Sequence, residues 1–221
     1  MEEDLTLDYL PNTEIHIYQH KHMFRMNTDT ASLGHFMHVQ EDEVVLDIGT
    51  NNGALLLYAN QYHPKFLIGV DIQPEACELA RKNMGYHHIQ NVKIIEGDIK
   101  QINLEKVDVI VCNPPYFKAF DLQRVNKKET IRIARHEVYL TLEELIFCVH
   151  NLLKEGGRFY LVHRSDRIMD IMHILREHQL EIKRLQFTYD EYKEEARGVL
   201  IEAVKGANSG CKVLQSKIIK R

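Results

Sequence analysis

No apolar run in the chain approaches the ~20 residues that a membrane-spanning helix needs, so no membrane partner is expected. The start, Met1-Glu2-Glu3-Asp4, is acidic and lacks the basic region of a secretory signal. Cysteine is sparse: Cys77, Cys112, Cys148 and Cys211 form no C-x-x-C pair, which argues against a zinc ribbon and a disulfide framework. The thiols read as reduced, which implies a cytoplasmic setting. Histidine is plentiful, and His16, His20, His22, His35 and His38 crowd near the start. None falls in an HExxH or other paired His/Cys spacing, so no metal is expected. Repeats, low-complexity stretches and long linkers are also missing, and 221 residues suit one ordinary domain with short terminal additions.

Net positive charge is lacking too, the formal value being −4, but the charges that exist are clustered. Lys118, Arg124, Lys127, Lys128, Arg132 and Arg135 face only Asp121 and Glu129. From Lys205 onward come Lys205, Lys212, Lys217, Lys220 and Arg221 with no acid. Phosphate contact is local, so such runs can bind a polyanion despite the overall balance; the plainer reading is a solvated face.

What is present is a regular strand–helix alternation. Val44-Val45-Leu46-Asp47-Ile48 reads as a strand, followed by a tight turn and an apolar helix over 54–62. A second strand spans 66–71, and Pro74 opens a helix over 75–85. Further strands are expected over 92–96, 107–112, 158–163, 182–187 and 198–204. Thr141-Leu-Glu-Glu144 has the form of a capping box, beginning a helix that Gly156-Gly157 ends, and another helix is expected over 165–178. Earlier, 15–18 alternates as a short strand might, and Thr28 or Asp29 can cap a helix reaching Met37. This spacing predicts an α/β fold with a seven-stranded, mostly parallel, doubly wound sheet and helices on both faces. Residues 1–40 form an N-terminal extension packing on the ligand side, 41–205 the domain proper, and 206–221 a basic C-terminal tail.

Two turns carry the chemistry. After the fourth strand of the alternation, Cys112-Asn113-Pro114-Pro115-Tyr116-Phe117 ends the chain's extended run abruptly, because prolines have no amide hydrogen and restrict the residue before them. An amide side chain at Asn113, the Pro114 carbonyl and the aromatic faces of Tyr116 and Phe117 suit a planar group carrying an amino nitrogen. Open α/β sheets bind ligands at this edge. The irregular segment 117–140 that follows is long enough to suggest a functional loop.

The other turn, Asp47-Ile48-Gly49-Thr50-Asn51-Asn52-Gly53, does not fit the dinucleotide pattern GxGxxG. An acid before the turn would repel a pyrophosphate and suits a cation. S-adenosylmethionine carries a sulfonium and an ammonium, and D-x-G-x-[GN]-x-G is the pattern methyltransferases use. Gly49 and Gly53 allow close backbone approach, with Thr50 and Asn51 between them. Asp71, followed by Ile72, ends the next strand, where an acid can accept the ribose hydroxyls; Asp98, followed by Ile99, ends the third and can accept from the adenine amino group. Each acid alone could be a turn former. Three at consecutive strand ends point to S-adenosylmethionine as cofactor.

In this order, the features resemble a class I, Rossmann-like methyltransferase of the amino-methylating group that carries [DNS]-P-P-[YFW]. The resemblance covers roughly residues 40–205. It implies that Asn113 and the Pro114 carbonyl hold the target amine while Tyr116 stacks on the target. More narrowly, the chain resembles the bacterial tRNA1(Val) adenine-37 N6-methyltransferase family. The similar pieces are Asp29-Thr-Ala-Ser-Leu-Gly-His-Phe36, Cys112-Asn-Pro-Pro-Tyr-Phe117, Ile133-Ala-Arg-His-Glu137 and Gly157-Arg-Phe-Tyr-Leu-Val-His-Arg164. That resemblance implies that Asn27 and Thr28 close over the cofactor, and that Arg135 and His136 lie near the substrate mouth; a salt bridge to Glu137 is the structural alternative.

The expected activity is N6-methylation of an adenine in RNA, with an anticodon-loop adenosine of tRNA as target. Phe117, Lys118, Lys127, Lys128 and Arg132 are expected to join the substrate face, and a monomer is favoured. The alternatives are N-methylation of a release-factor glutamine or of a ribosomal RNA guanine, and, outside enzymes, a non-catalytic RNA-binding protein of the same fold. Glutamine methylators of this group usually carry a separate N-terminal helical domain, whereas only residues 1–40 precede the domain here. Two departures from the family pattern stand out: Asn51 occupies a position where glycine is commoner, and the chain stops soon after Leu214, where relatives often continue.

Overall fold

The computed structural model describes residues 4–114 and 140–219. The chain opens with an antiparallel hairpin of β1 (Leu5–Tyr9) and β2 (His16–His20), then α1 (Thr28–Phe36). The alternation follows as β3 (Val44–Ile48), α2 (Ala54–Asn60), β4 (Phe66–Asp71), α3 (Pro74–Tyr86), β5 (Val92–Glu96) and β6 (Val107–Cys112). After these come α4 (Leu142–Leu152), β7 (Leu153–Arg164), α5 (Ile168–Glu177), β8 (Leu180–Asp190), β9 (Gly198–Lys205), β10 (Lys212–Val213) and β11 (Lys217–Ile219). Beyond the hairpin, the strands form one sheet in the order β10-β8-β9-β7-β6-β3-β4-β5, with β11 also on β8. Strands β3 to β7 are parallel, and β9 runs antiparallel between β7 and β8.

Strand periodicity divides the core into two layers. Val45, Leu67, Val109, Val111, Tyr160 and Val162 face α1 and α2, whose Leu33, Phe36, Leu56 and Leu57 are buried against them. Leu46, Ile48, Val70, Ile110, Phe159 and Leu161 face the opposite layer, closed by Leu145 and Val149 of α4 and Ile171 and Leu175 of α5. With both faces covered, the central strands are almost continuously apolar, as a parallel sheet requires. Asp108 interrupts β6 at its amino end, where its carboxylate accepts from the Val44 amide at 2.9 Å and from Lys154 Nζ at 2.7 Å. It ties β6 to the start of β3, away from the ligand edge.

Several expectations need correction. The sheet among the described residues has nine strands where seven were expected, because the C-terminal segment adds β10 and β11 in parallel along β8. Lys205 is not part of an exposed basic run: it is buried, and its Nζ donates to the carbonyls of His150 at 2.7 Å and Leu153 at 3.2 Å, at the end of α4. That helix does have its capping box, but it ends at Leu152, before the glycines. Leu153 is already extended and pairs with Val107, and an irregularity in the β6–β7 register absorbs the residues up to Arg158. Asn27, rather than Thr28 or Asp29, caps α1, its Oδ1 accepting from the amides of Asp29 and Thr30 at 3.0 and 2.9 Å.

Helix α1 lies directly on α2. A Cβ added at Gly34 would fall within the ring of Tyr58, whose hydroxyl donates to the Pro11 carbonyl at 3.1 Å. We expect Gly34→Ala to push α1 off the sheet and cost about 1–3 kcal/mol. Urea unfolding checks this, and an unchanged midpoint would show that α1 can lift freely.

Candidate active site

Strand order reverses at β3. The chain proceeds outward from β3 to β4 and β5, then returns to place β6 on its other side. The loops leaving β3 and β6 therefore diverge, opening a crevice at their carboxyl ends. A cavity of about 510 Å³ occupies it. Its floor is the turn after β3, from Ile48 to Asn52; its walls are Asp71, Ile72 and Gln73 after β4, Gly97, Asp98 and Ile99 after β5, and Cys112, Asn113 and Pro114 after β6. Residues 23–26, Thr30, Ala54, Leu55, Val70 and Leu140 complete the lining.

The turn is built by left-handed backbone. Gly49 and Gly53 have φ of 75° and 80°, and Asn51 has φ of 49°. A Cβ at Gly49 would meet no protein atom, so the space beside this backbone is open to a ligand. Gly53 serves packing instead: a Cβ there would lie 2.9 Å from Met84 Cε, and Gly53 is not on the cavity wall. Asn51 adopts the conformation for which asparagine is the tolerated substitute. It also does what glycine cannot, since its Nδ2 donates to the Phe24 carbonyl at 2.7 Å and ties residues 23–26 across the cavity. That strap is held further by Met26 N on Gln19 Oε1 at 2.8 Å and by Arg25 on Asp8 at 2.7 Å.

Asp47 lies beneath the turn, 1% exposed, rather than on the cavity wall. Neither carboxylate oxygen has a hydrogen-bond partner. Burial pushes its pKa up to about 7; the nearby Thr50 hydroxyl opposes this without reaching hydrogen-bond geometry, and the Asp71 charge adds to the rise. An orphaned buried carboxylate is costly unless something cationic compensates it. Cys112, on the wall, is held as a neutral thiol: burial, then the charges of Asp47 and Asp71, raise its pKa well above the ordinary value.

The other two acids differ from one another. Asp71 is oriented by backbone, its Oδ2 accepting from Asn51 N at 2.9 Å and its Oδ1 from Gln73 N at 3.0 Å. Asp98 Oδ1 accepts from Lys100 N at 3.0 Å, so it forms a local turn as well as lining the cavity.

Asn113 lies at the mouth of β6, and its Nδ2 donates to Thr30 Oγ1 at 2.9 Å. Together with Pro114 it lines the same cavity as Asp71 and Asp98. Asn27 and Thr28 do not reach the lining: Asn27 caps α1, and Thr28 Oγ1 accepts from Arg197 Nη1 at 3.4 Å. Thr50, Ile72 and Ile99 do reach it. Tyr116, Phe117, Lys118, Lys127, Lys128, Arg132, Arg135 and His136 lie outside the described residues. Sequence reasoning missed the strap at 23–26 and Thr30, although the polar cluster Asn27 to Thr30 ahead of an apolar helix was a usable signal. Among the described residues, no group of three or more His, Cys, Asp or Glu could hold a metal.

Comparison with known proteins agrees with this geometry. Curated relatives include tRNA1(Val) (adenine(37)-N6)-methyltransferases of a Flavobacteriaceae bacterium, 32% identical over 66% of this chain and 62% of that protein, and of Porphyromonas gingivalis, 36% identical over 63% and 57%. The chain thus spans about three fifths of the length of these relatives. A relative of the same name from Aliivibrio salmonicida is 26% identical over 80% of this chain and 76% of its own. Among solved structures, an M. jannaschii tRNA m1G37 methyltransferase aligns with a TM-score of 0.70 at 14% identity, covering 93% of this chain and 58% of that one. A predicted O-methyltransferase from Agrobacterium tumefaciens aligns with a TM-score of 0.64 at 14% identity, covering 84% and 85%. Residues 40–214 match the family described as Methyltransferase domain, so the chain belongs to that family, and its cofactor is S-adenosylmethionine.

Proposed function

We propose that the chain methylates the N6 amine of an adenine in RNA, with an anticodon-loop adenosine of tRNA as target, and that it works in the cytoplasm. The observation that carries this reading is the Asn113 amide and the adjoining Pro114 on the wall of the cavity that the Asp71 and Asp98 strand ends also line. In sequence these two continue into Pro115 and Tyr116, the motif of amino-methylating enzymes. The names of the curated relatives support adenine in tRNA over the glutamine and guanine alternatives.

The cavity suits the cofactor. The open space beside Gly49 admits a ligand against backbone, and the orphaned Asp47 carboxylate favours a cation above the turn. The Asp71 carboxylate is oriented to accept ribose hydroxyls, Ile72 and Ile99 offer apolar walls to an adenine ring, and Asp98 can accept from its amino group. When bound, the cofactor supplies an electrophilic methyl group on its sulfonium.

An adenine amine is a weak nucleophile because its lone pair is delocalised into the ring. Asn113 Oδ1 and the Pro114 carbonyl accept its two hydrogens, which favours a more tetrahedral nitrogen with its lone pair directed outward. The cofactor, held by the Gly49 turn, Asp71 and Asp98, would supply the methyl group for this lone pair, and the amine's surplus proton would pass to water. No strong base is required; positioning and hydrogen-bond acceptance account for the rate. An anticodon-loop base is already partly unstacked, which lowers the cost of bringing it to a pocket at the sheet edge. The basic residues Lys127, Lys128 and Arg132 are proposed to hold RNA phosphates, with Lys118, Arg135 and His136 beside them and Tyr116 and Phe117 stacking on the base.

Three measurements test the reading. Methyl transfer from labelled S-adenosylmethionine into tRNA lacking the modification should give N6-methyladenosine; Asn113→Ala should lower kcat at least about a hundredfold while changing cofactor Kd less than about threefold. Label in guanosine, or equal losses of turnover and cofactor binding, would overturn it. Replacing Lys127, Lys128 and Arg132 with glutamate should weaken tRNA binding at moderate salt and leave cofactor affinity intact. The third concerns pH. Asp47 is largely protonated below about 7, and a cationic ligand favours its ionised form, so cofactor binding should expel a proton and weaken as pH falls below 7. Calorimetry in buffers of different ionisation enthalpy checks the release, and Asp47→Asn should flatten the dependence.

A further inference from the structure

Asparagine is an ambiguous choice for holding an amine, since its side chain carries an acceptor and a donor at nearly equivalent positions. Presented the wrong way round, the NH₂ of Asn113 would meet the NH₂ of the substrate. The structure contains a chain of hydrogen bonds that removes the ambiguity, and it begins outside the sheet, at the first turn of α1.

Asn27 Oδ1 lies 3.0 Å from Asp29 N and 2.9 Å from Thr30 N. Both are backbone donors, so the Asn27 atom facing them is an acceptor and its identity as oxygen is fixed. The Thr30 hydroxyl lies 3.2 Å from the same oxygen. An amide oxygen only accepts, so the single hydroxyl hydrogen of Thr30 is committed to Asn27. What Thr30 Oγ1 has left is lone pairs. The Asn113 atom 2.9 Å away must therefore be the NH₂ group, and Oδ1 is turned to the other edge of the amide. Thr30 and Asn113 both line the cavity, while Thr30 itself is only 6% exposed, so solvent competes little for its hydroxyl.

We propose that Thr30 is a positioning residue for Asn113: keyed by the Asn27 cap, it sets which edge of the amide faces the substrate amine. This rests on the reading of Asn113 as the amine's acceptor. The first turn of α1 is itself pinned, Arg197 Nη2 lying 3.5 Å from Asp29 Oδ2 while Nη1 lies 3.3 Å from Asp190. The donor–acceptor order thus runs from backbone amides, through the side chains of Asn27, Thr30 and Asn113, to the reacting nitrogen.

The test is Thr30→Val against Thr30→Ser. Valine keeps the shape and leaves both backbone bonds to Asn27, but removes the hydroxyl; serine restores it. The expected result is a fall in kcat of about tenfold or more for the valine variant, with cofactor Kd within about threefold of wild type and serine recovering most of the turnover. The second readout does not need turnover: the Asn113 side-chain NH₂ resonance, identified by its loss in Asn113→Ala, should exchange with solvent faster in Thr30→Val and return to wild-type behaviour in Thr30→Ser. Wild-type turnover in the valine variant, or an unaltered Asn113 NH₂ signal there, would overturn the proposal. Failure of the functional reading would appear differently, as wild-type protein that methylates no RNA adenine, and the NH₂ signal would still decide the role of Thr30.

Discussion

The reversal of strand order at β3 is the constraint on which the rest of the molecule depends. Because β4 pairs on one side of β3 and β6 on the other, the loops that leave β3 and β6 are drawn apart over adjacent strand ends. A cleft results with no sacrifice of core packing, since both faces of the sheet remain covered. The cavity lining is then largely a property of one edge: the turn after β3, Asp71, Asp98, and the Asn113–Pro114 corner. The antiparallel half, β8 and β9, makes no part of the cavity wall but completes the sheet beyond β7.

Electrostatically the two acids nearest the turn after β3 are treated differently. Asp47 is withheld from water and left without a partner, so its charge state responds to what binds above it. Asp71 is treated in the opposite way, each oxygen engaged by a backbone amide. Two acids a short distance apart in the sheet thus serve different ends because one is desolvated and bare while the other is hydrogen-bonded. Cys112 is kept as a neutral thiol chiefly by burial, with the charges of Asp47 and Asp71 adding to the effect.

Much of this was legible in the sequence. The strand–helix alternation is written in β-branched runs and their spacing, and the acid at each strand end could be read with it. Asn51 was recognisable as a left-handed residue, and φ of 49° agrees. What could not be read depends on contacts distant along the chain. Strand β1 alternates apolar and polar residues over Leu5–Tyr9, but its apolar Leu7 and Tyr9 face outward and are exposed, so the pattern points to no core face and the pairing with β2 fixes the strand. The strap at 23–26 has no periodicity and is placed by Asn51, Gln19 and Asp8. The end of α4 was misjudged because Leu153 leaves the helix to pair with Val107, a tertiary preference that overrides the later glycines. Lys205 looked like surface charge because nothing local reveals that it meets the carbonyls closing α4.

The hold of Arg197 on the first turn of α1 joins positions 169 residues apart, Arg197 and Thr28. A ribosome delivers residues 28–113, which supply most of the cavity lining, long before it delivers that arginine. During synthesis the turn after β3 and the Asn113 corner therefore emerge before the arginine that pins the first turn of α1. The guanidinium lies between Asp29 and Asp190, just ahead of the strand β9 that pairs with β8. The nascent chain thus lacks the clamp on the first turn of α1 until the residues around β9 have emerged.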